Sequence, residues 1–161
     1  MWERIKPYLK IYIIAIAIPI GVGLLSALFT KDNMGIYSEI ETPPLSPPSW
    51  LFPIAWTLLY ALMGVSSALV YINRGINPEA ARAGLTHYAI SLVVNFAWSI
   101  IFFNVRAFTL AFVWLLLLLY LIIRTVLSYR KVSPLAAYLQ IPYIIWVAFA
   151  GYLNAGIVLL N

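Results

Sequence analysis

The sequence predicts an all-α membrane protein, a bundle of five transmembrane helices that forms a single domain over residues 1–161. Of the 161 residues, 64% are hydrophobic and 9% are charged, whereas soluble domains average about 45–50% apolar and about 25% charged residues. The apolar residues also fall into five long stretches without charge, each close to the roughly 20 residues needed to cross a bilayer. Composition and segment length together favour membrane-spanning helices over a buried soluble core.

The five predicted helices occupy the gaps between charged residues. The first uncharged stretch lies between Lys10 and Lys31, and the second lies within the gap between Glu41 and Arg74. The first stretch is longer than the apolar core of a secretory signal and lacks a clear cleavage site, so we expect it to remain as a helix. The predicted helices are 11–29, 51–72, 80–103, 107–128 and 134–160.

Basic residues predict the orientation of the bundle. Eight of the ten Lys and Arg residues lie on the side of the N-terminus in this topology, and the cytoplasmic side of a membrane protein carries the excess of positive charge. We therefore expect a cytoplasmic N-terminus, with the loop 30–50 and the C-terminal end outside. Membrane-flanking charge also explains the net charge of +5 without nucleic-acid binding, because no basic patch alternates with exposed aromatic residues.

The sequence offers few groups for conventional catalysis. It has no cysteine, five carboxylates and one histidine, His87, which excludes disulfides and thiol chemistry and leaves little for a metal centre. A lone histidine on a helix is more often hydrogen-bonded packing than a haem ligand, so we predict that His87 ligates no iron. We predict no catalytic residue, no metal site and no required cofactor.

Residues 30–50 form the one long connection between predicted helices. They hold three of the five acids and the proline-rich run 42–48, and proline restricts both its own backbone and that of the residue before it. We predict a stiff non-helical strap, which is either a rigid connector or a lid over a pocket. No internal repeat is evident, so an inverted-repeat transporter is not indicated.

Three tryptophans share one predicted depth band beneath this loop. With about 1.5 Å of rise per residue, Trp56, Trp98 and Trp146 lie deeper than the interfacial belt in which Trp2 and Trp50 are expected. The three rings either pack helices together or form a flat apolar pocket with a few polar groups.

Polar and small residues in the predicted helices indicate further contacts. Asn95 lies near the depth of the tryptophans and either binds a ligand or bonds to a neighbouring helix, because intramembrane polar groups usually face the bundle interior. Gln140, near the cytoplasmic end, is expected to be structural. Ala80 and Gly84 form a small-xxx-small pair that allows close helix contact, and we expect a homodimer through the third helix.

Several segments, in this order along the chain, carry a family resemblance. They are residues 37–43 (YSEIETP), 46–48 (SPP), 56–64 (WTLLYALMG), 95–98 (NFAW), 101–103 (IFF), 132–137 (VSPLAA), 142–143 (PY) and 146–150 (WVAFA). Together they resemble the TspO/MBR family, which includes bacterial tryptophan-rich sensory proteins and the mitochondrial translocator protein. The resemblance covers nearly the whole chain, and a bacterial cell membrane is the expected location.

The resemblance implies a five-helix bundle, commonly a dimer, with a cavity that opens towards the first loop. Ligands of the family are porphyrins, haem-related tetrapyrroles, sterols and synthetic benzodiazepine-site drugs. Carried over by position, the ligand-binding residues would be Ser26, Tyr37, Pro47, Trp56, Asn95, Trp98, Trp146 and Ala150.

The sequence departs from the family pattern at several positions. Thr42 and Leu45 stand where the family's loop often has lysine and tryptophan, which weakens the case for a charged contact to a ligand carboxylate. Trp114 stands where the fourth helix often bears a buried acid. The residues after Tyr152 lack the basic residue of the sterol-recognition pattern of animal members, so sterol binding through that motif is not indicated.

The sequence therefore predicts a membrane receptor for a flat hydrophobic ligand, with a porphyrin or haem-type tetrapyrrole as the expected ligand and a regulatory or stress-related role. Its expected partners are the lipid bilayer, this ligand and a second copy of the chain. Two other classes stay open. One is light- or oxygen-dependent breakdown of a bound porphyrin, which needs no acid–base residues, and the other is transport of tetrapyrroles or sterol-like lipids.

Overall fold

A computed structural model describes residues 1–161. Its five long helices are α1 (Leu9–Thr30), α2 (Leu51–Ile72), α3 (Pro78–Ser99), α4 (Phe108–Arg130) and α5 (Pro134–Leu160). All five are long and apolar enough to cross a membrane, and the structure contains no strand. The predicted fold class is confirmed: the chain is an integral membrane protein built as a five-helix bundle.

Short elements extend this framework at three places. A four-residue helix (Trp2–Ile5) and a 3₁₀ turn (Lys6–Tyr8) precede α1, and a further helical turn, Ile36–Glu39, lies in the loop after it. The backbone of α3 continues into a π-helical turn at Ile100–Asn104. The proline-rich run 42–48 has no helix, as predicted, whereas the helical turn in the loop and the π turn were not anticipated.

Two helices begin with the same local device. The Asn77 side chain accepts a hydrogen bond from the backbone N–H of Ala80 at 3.0 Å, and Ser133 accepts one from Ala136 at 3.3 Å. In both cases the next residue is proline, whose missing N–H costs nothing in the first turn of a helix. These caps satisfy donors at helix ends that would otherwise be unpaired.

The helices form a ring in the order α1, α2, α5, α4 and α3. The most extensive packing joins α4 to α5 and α3 to α4, whereas α1 packs mainly on α2 and more sparsely on α3. Because the chain alternates direction, the loop 31–50 and the C-terminal end lie at one end of the ring, here named the loop end. The N-terminal segment and the short loops 73–77 and 131–133 lie at the other, the closed end.

Small residues bring the helices together from the middle of the bundle to the closed end. A methyl group at Gly84 of α3 would lie 2.6 Å from Cδ1 of Tyr129 on α4, and one at Gly64 of α2 would lie 2.5 Å from Cα of Ile16 on α1. Gly84 and Ala80 are both buried within the bundle. The expected dimer contact through this pair is therefore wrong, because the pair is used for packing of α3 on α4 within one chain.

Hydrogen bonds between side chains also tie the closed end. The Ser66 hydroxyl on α2 donates to the backbone oxygen of Ala136 on α5 at 2.7 Å and accepts from the Gln140 amide at 3.2 Å. Ser67 and Tyr129 join α2 to α4 through their hydroxyls, 2.9 Å apart. These bonds hold polar groups that lipid could not satisfy, and Gln140 has the structural contact that the sequence indicated.

Candidate functional site

The loop end of the ring contains a cavity of about 350 Å³. Its walls come from α1, α2, α3 with the π turn, α5 and the loop, while α4 contributes no lining residue. This volume lies within the range of about 300–1,000 Å³ that is typical of small-molecule sites. The cavity is therefore large enough for a ligand and is enclosed by four of the five helices.

Helical periodicity explains why these walls converge. Residues three, four or seven positions apart share one face of a helix. The lining residues of each helix recur at these intervals, so each helix turns one face towards the cavity. The lining residues are Ile20, Gly23, Leu24, Ser26, Ala27 and Thr30 of α1, Met34, Tyr37 and Ser49 of the loop, Phe52, Pro53, Trp56, Thr57 and Tyr60 of α2, Asn95, Trp98, Ser99, Phe102 and Phe103 of α3 and its π turn, and Ala150, Leu153, Asn154 and Ile157 of α5.

Aromatic rings on two sides of the cavity are fixed by their neighbours. On α2, Trp56 stacks on Tyr60 with ring centroids 5.5 Å apart and an interplanar angle of 28°. On α3, the Trp98 and Phe102 centroids are 5.2 Å apart. Such pairs contribute beyond their buried area, so the rings are held in place before any ligand arrives.

The polar groups at the inner wall are mostly paired with protein. The Asn95 amide donates to the Tyr143 hydroxyl at 3.0 Å, and Trp98 Nε1 donates to Asn154 Oδ1 at 3.2 Å. Asn154 in turn donates to the backbone oxygen of Phe108 at 2.9 Å. Asn95 thus bonds to a neighbouring helix and also lines the cavity, so both alternatives for this residue have a structural basis.

One polar atom of a cavity-lining residue is fully buried without a hydrogen-bond partner. The Tyr37 hydroxyl is buried and makes no hydrogen bond, although its ring packs edge-on against Phe52 with centroids 5.3 Å apart. No Asp, Glu, Lys, Arg or His lines the cavity. The wall is therefore apolar and uncharged, with an unused hydroxyl on the loop side.

The loop that covers the cavity is tied at Asn33 and at Glu41. The Asn104 amide of the π turn donates to the backbone oxygen of Phe29 at 3.0 Å and accepts from Asn33 at 2.9 Å. On the opposite side, Asn161 pairs with the backbone of Glu41 through bonds of 3.1 and 2.8 Å. These bonds make the loop a fastened cover.

The proline-rich strap itself also rests on α5. The Tyr152 hydroxyl donates to the backbone oxygen of Pro44 at 2.7 Å. A methyl group at Gly156 would lie 2.5 Å from Cβ of Pro43, so glycine is needed for the close approach of strap and helix. Leu45, one of the departures from the family pattern, is 84% exposed and points away from the cavity.

The structure brings six of the eight predicted ligand-binding residues to the cavity wall. Two of the eight, Pro47 and Trp146, do not line the cavity, whereas the other six do: Ser26, Tyr37, Trp56, Asn95, Trp98 and Ala150. Trp146 lies behind Trp56, with ring centroids 6.3 Å apart and an interplanar angle of 86°. The ring of Trp146 packs on Trp56 and Phe52 and supports them from behind the wall, so its contact with a ligand stays a prediction.

Sequence reasoning missed several wall residues that follow from those it found. Tyr60 lies four positions after Trp56, and Phe102 lies four positions after Trp98. Extending each face by one helical turn would have found them. The wall contributed by α1 carried no such signal, because nearly all its residues are apolar and no face of that helix stands out.

His87 lies outside the cavity wall. It precedes Asn95 by eight residues, about 12 Å along α3 at 1.5 Å per residue, and it is absent from the lining. Its Nδ1 is buried without a hydrogen-bond partner. No group of three or more His, Cys, Asp or Glu side chains is placed to hold a metal ion.

The fold and cavity define a class: integral membrane proteins whose five helices surround an apolar, ligand-sized cavity beneath a proline-rich loop. The model of the TspO/MBR family matches residues 15–160, and the chain belongs to that family. The match spans all five helices and the loop, so it includes every element that builds the cavity.

Similar proteins come from distant organisms. The chain is 36% identical to the tryptophan-rich protein TspO of Chlorobaculum tepidum, over 92% of this chain and 94% of that protein. It is 40% identical to the translocator protein of Ovis aries, over 85% of this chain and 82% of that protein. It is 34% identical to the protein CrtK of Rhodobacter capsulatus, over 86% and 85% of the two chains.

Proposed function

We propose that the protein is a membrane receptor for flat hydrophobic ligands, with porphyrin or haem-type tetrapyrroles as the preferred class and with a regulatory role. The single observation that carries this proposal is the uncharged cavity at the loop end, with Trp56 on one helix and Trp98 on another. A flat conjugated ring buries much apolar surface against such side chains and gains offset or edge-to-face aromatic contacts.

The polar groups of the cavity favour one orientation of such a ligand. Because no cation lines the wall, a carboxylate deep inside would be desolvated without a partner, which is costly. The carboxylates of a porphyrin therefore stay at the loop side, where the membrane surface is near. The free Tyr37 hydroxyl is on that side and offers a hydrogen bond to a polar edge.

A titration with protoporphyrin tests the proposal. The purified protein in nanodiscs is titrated in the dark, and tryptophan fluorescence reports occupancy of the cavity. We expect saturable quenching in excess of that caused by partition into empty nanodiscs. If protoporphyrin partitions equally into empty nanodiscs and into nanodiscs that contain the protein, a receptor function is contradicted.

The same sample separates binding from turnover. Absorption spectra are followed in light and in dark with the protein at saturation. A bound spectrum that persists in light fits a receptor. Product formation that needs both light and protein would replace the receptor by the porphyrin-degrading alternative.

We also propose that the loop end faces outside and the N-terminus faces the cytoplasm, as the distribution of basic residues indicates. The chain has no cysteine, so single cysteines at Lys6 and Ser38 report each side separately. An impermeant thiol reagent added to intact cells should label the variant at Ser38 and spare the variant at Lys6.

A homodimer through the third helix is proposed on a face other than the one first expected. Ala80 and Gly84 face inward, whereas Thr86, Ala89, Ile90 and Val93 form an exposed stripe on α3. A single cysteine at Ala89 should give a disulfide-linked dimer in membranes. A cysteine at Leu116, on the exposed face of α4, is the matched control that should stay monomeric.

A further inference from the structure

The exposed part of the cavity wall lies on one side of the ring. Among the lining residues, those on α3 and α5 are buried or half-buried. The exposed ones all belong to α1, to α2 or to the loop residues beside them: Leu24, Ala27, Met34, Ser49, Pro53 and Thr57. A residue that both lines the cavity and is exposed has no helix covering it, so these residues mark a slit between α1 and α2.

The slit ends where α1 and α2 come into close contact. A methyl group at Gly64 would meet backbone atoms of Ala15 and Ile16, and Gly23 lies directly against the ring of Tyr60. Further towards the loop end, Ala27 of α1 and Pro53 of α2 both line the cavity and are exposed. The helices are therefore sealed in the middle of the bundle and uncovered next to the cavity.

The depth of the slit places most of it within lipid. Leu24 lies six residues before the end of α1 at Thr30, and Thr57 lies six residues after the start of α2 at Leu51. At 1.5 Å of rise per residue, both are about 9 Å below the helix ends. Their exposed surfaces therefore meet the hydrocarbon region, and Met34 and Ser49 mark the rim at the loop.

The other side of the cavity is fastened. Exit through the loop would break the bonds of Asn161 to Glu41, of Tyr152 to Pro44 and of Asn33 to Asn104. No hydrogen bond joins α1 to α2, so exit through the slit breaks no bond between the two helices that border it. In addition, α1 has the smallest buried share of the five helices, 11%.

We propose that the cavity opens sideways into the bilayer through a portal bounded by Leu24, Ala27, Pro53 and Thr57. Ligands would exchange with the lipid phase between α1 and α2 and not through the loop. This inference rests on the proposed function for its ligand, and it restricts the ligand class to molecules that partition into the bilayer. The portal itself is a property of the walls and has a test without any ligand.

The first test uses a phospholipid with a photoreactive diazirine on its acyl chain. A variant with Leu24→Cys and Thr57→Cys is placed in nanodiscs that contain this lipid, before and after linkage by a reducible bis-thiol reagent. Mass spectrometry locates the label on α3 and α4. We expect label at the cavity residues Trp98 and Phe102 in the free state, its loss on linkage, and its return on reduction.

Two controls make this result specific. Leu116 of α4 is 51% exposed and lies outside the proposed dimer stripe, so its labelling should not change when the slit is closed. A variant with Pro44→Cys and Tyr152→Cys fastens the loop to α5, and its linkage should leave the labelling of Trp98 unchanged. The portal is refuted if Trp98 and Phe102 are never labelled, if linkage of the slit has no effect, or if linkage of the loop abolishes the label.

The second test measures exchange of protoporphyrin by stopped-flow fluorescence on the same variants. Linkage of Leu24→Cys to Thr57→Cys should slow both association and dissociation about tenfold, since a gated site lowers the association rate. Linkage of the loop should change neither rate by more than about twofold. If the unlinked protein does not bind protoporphyrin, the proposed function fails, while the lipid labelling still decides on the portal.

Discussion

The closed end and the loop end of the bundle are built from the same five helices in opposite ways. At the closed end, Gly64 and Gly84 remove side-chain volume, and Ser66 and Gln140 bond across the gap that remains. At the loop end, large rings such as Trp98 keep the helices apart, and a cavity of about 350 Å³ remains.

This difference indicates that the closed end serves mainly stability, whereas the loop end provides the ligand cavity. Lipid offers no hydrophobic drive for helix association, so close packing and interhelical hydrogen bonds must hold the bundle together. At the closed end, both kinds of contact occur together. The loop end keeps a cavity open because hydrogen bonds beside it, from Trp98 to Asn154 and from Asn154 to Phe108, join the helices without filling the space between them.

Filling the closest helix contact should have the largest effect on stability. Gly84→Leu places a side chain into the buried ring of Tyr129, which is 0% exposed and bonded to Ser67. We expect a loss of about 3 kcal/mol, the upper end of the usual cost of overpacking, measured by reversible unfolding in detergent.

Gly151→Leu is the matched control, because a Cβ atom at Gly151 of α5 would meet nothing within 4 Å. It makes the same change of residue within a long helix. Equal losses in the two variants would show that the packing of α3 on α4 does not carry the stability of the closed end.

Removing a ring from the cavity should affect binding more than stability. Trp56→Ala removes the stacked ring on α2, and we expect porphyrin affinity to fall by about 2 kcal/mol, or roughly 30-fold. Fluorescence titration of the variant in nanodiscs measures the loss.

Substitutions of two further tryptophans serve as comparisons for the loss of porphyrin affinity. Trp146→Ala should cost less, since Trp146 supports Trp56 from behind, and Trp2→Ala should cost nothing because Trp2 is 61% exposed. A larger effect at Trp146 than at Trp56 would move the ligand out of the cavity described above.

The sequence predicted the bounds of the helices better than it predicted which residues line the cavity. Uncharged stretches of fixed length determine where helices cross a membrane, so α2 has the predicted bounds, 51–72. The side of a helix that faces the cavity depends on how neighbouring helices rotate, and that information is not local. Trp146 was placed in the wall from its estimated depth and the family resemblance, although the direction of its side chain around α5 was not known.

The same limit applies to the small-residue pair. The spacing of Ala80 and Gly84 correctly indicates close helix contact, yet it does not say whether the partner is a second chain or α4. Only the position of Tyr129 opposite Gly84 decides this. The family resemblance could not decide this either, because it assigns residues to positions in the sequence and does not say which neighbouring helix a side chain faces.

Cutting one polar link at the closed end should have a moderate effect. Ser66→Ala removes the bond to Ala136 and leaves the Gln140 amide without its acceptor. We expect a loss of about 1 kcal/mol, within the range measured for interhelical bonds in membranes. Unfolding of Ser38→Ala, which loses a bond within the exposed loop, provides the reference and should match the parent chain.

Replacing the one histidine should have the smallest effect. Because His87 lies outside the cavity wall, His87→Ala should keep porphyrin and haem affinity within about threefold, or about 0.7 kcal/mol. Absorption titration of both ligands measures it. Loss of haem binding alone, with porphyrin binding intact, would identify His87 as an iron ligand and refute this expectation.

The π turn at Ile100–Asn104 means that the number of residues in this segment sets how the following chain is rotated. Its wider backbone ring, with the N–H of Val105 bonded to the oxygen of Ile100 at 3.0 Å, holds one residue more than an α-helical turn. Deleting Ile100 or Ile101, which do not line the cavity, would rotate all that follows by about 100° relative to Trp98. Asn104 would then leave the end of α1, and the loop would come loose from α3 although no cavity residue had been exchanged. A shortened chain would therefore lose its cover through geometry and keep every side chain that contacts a ligand.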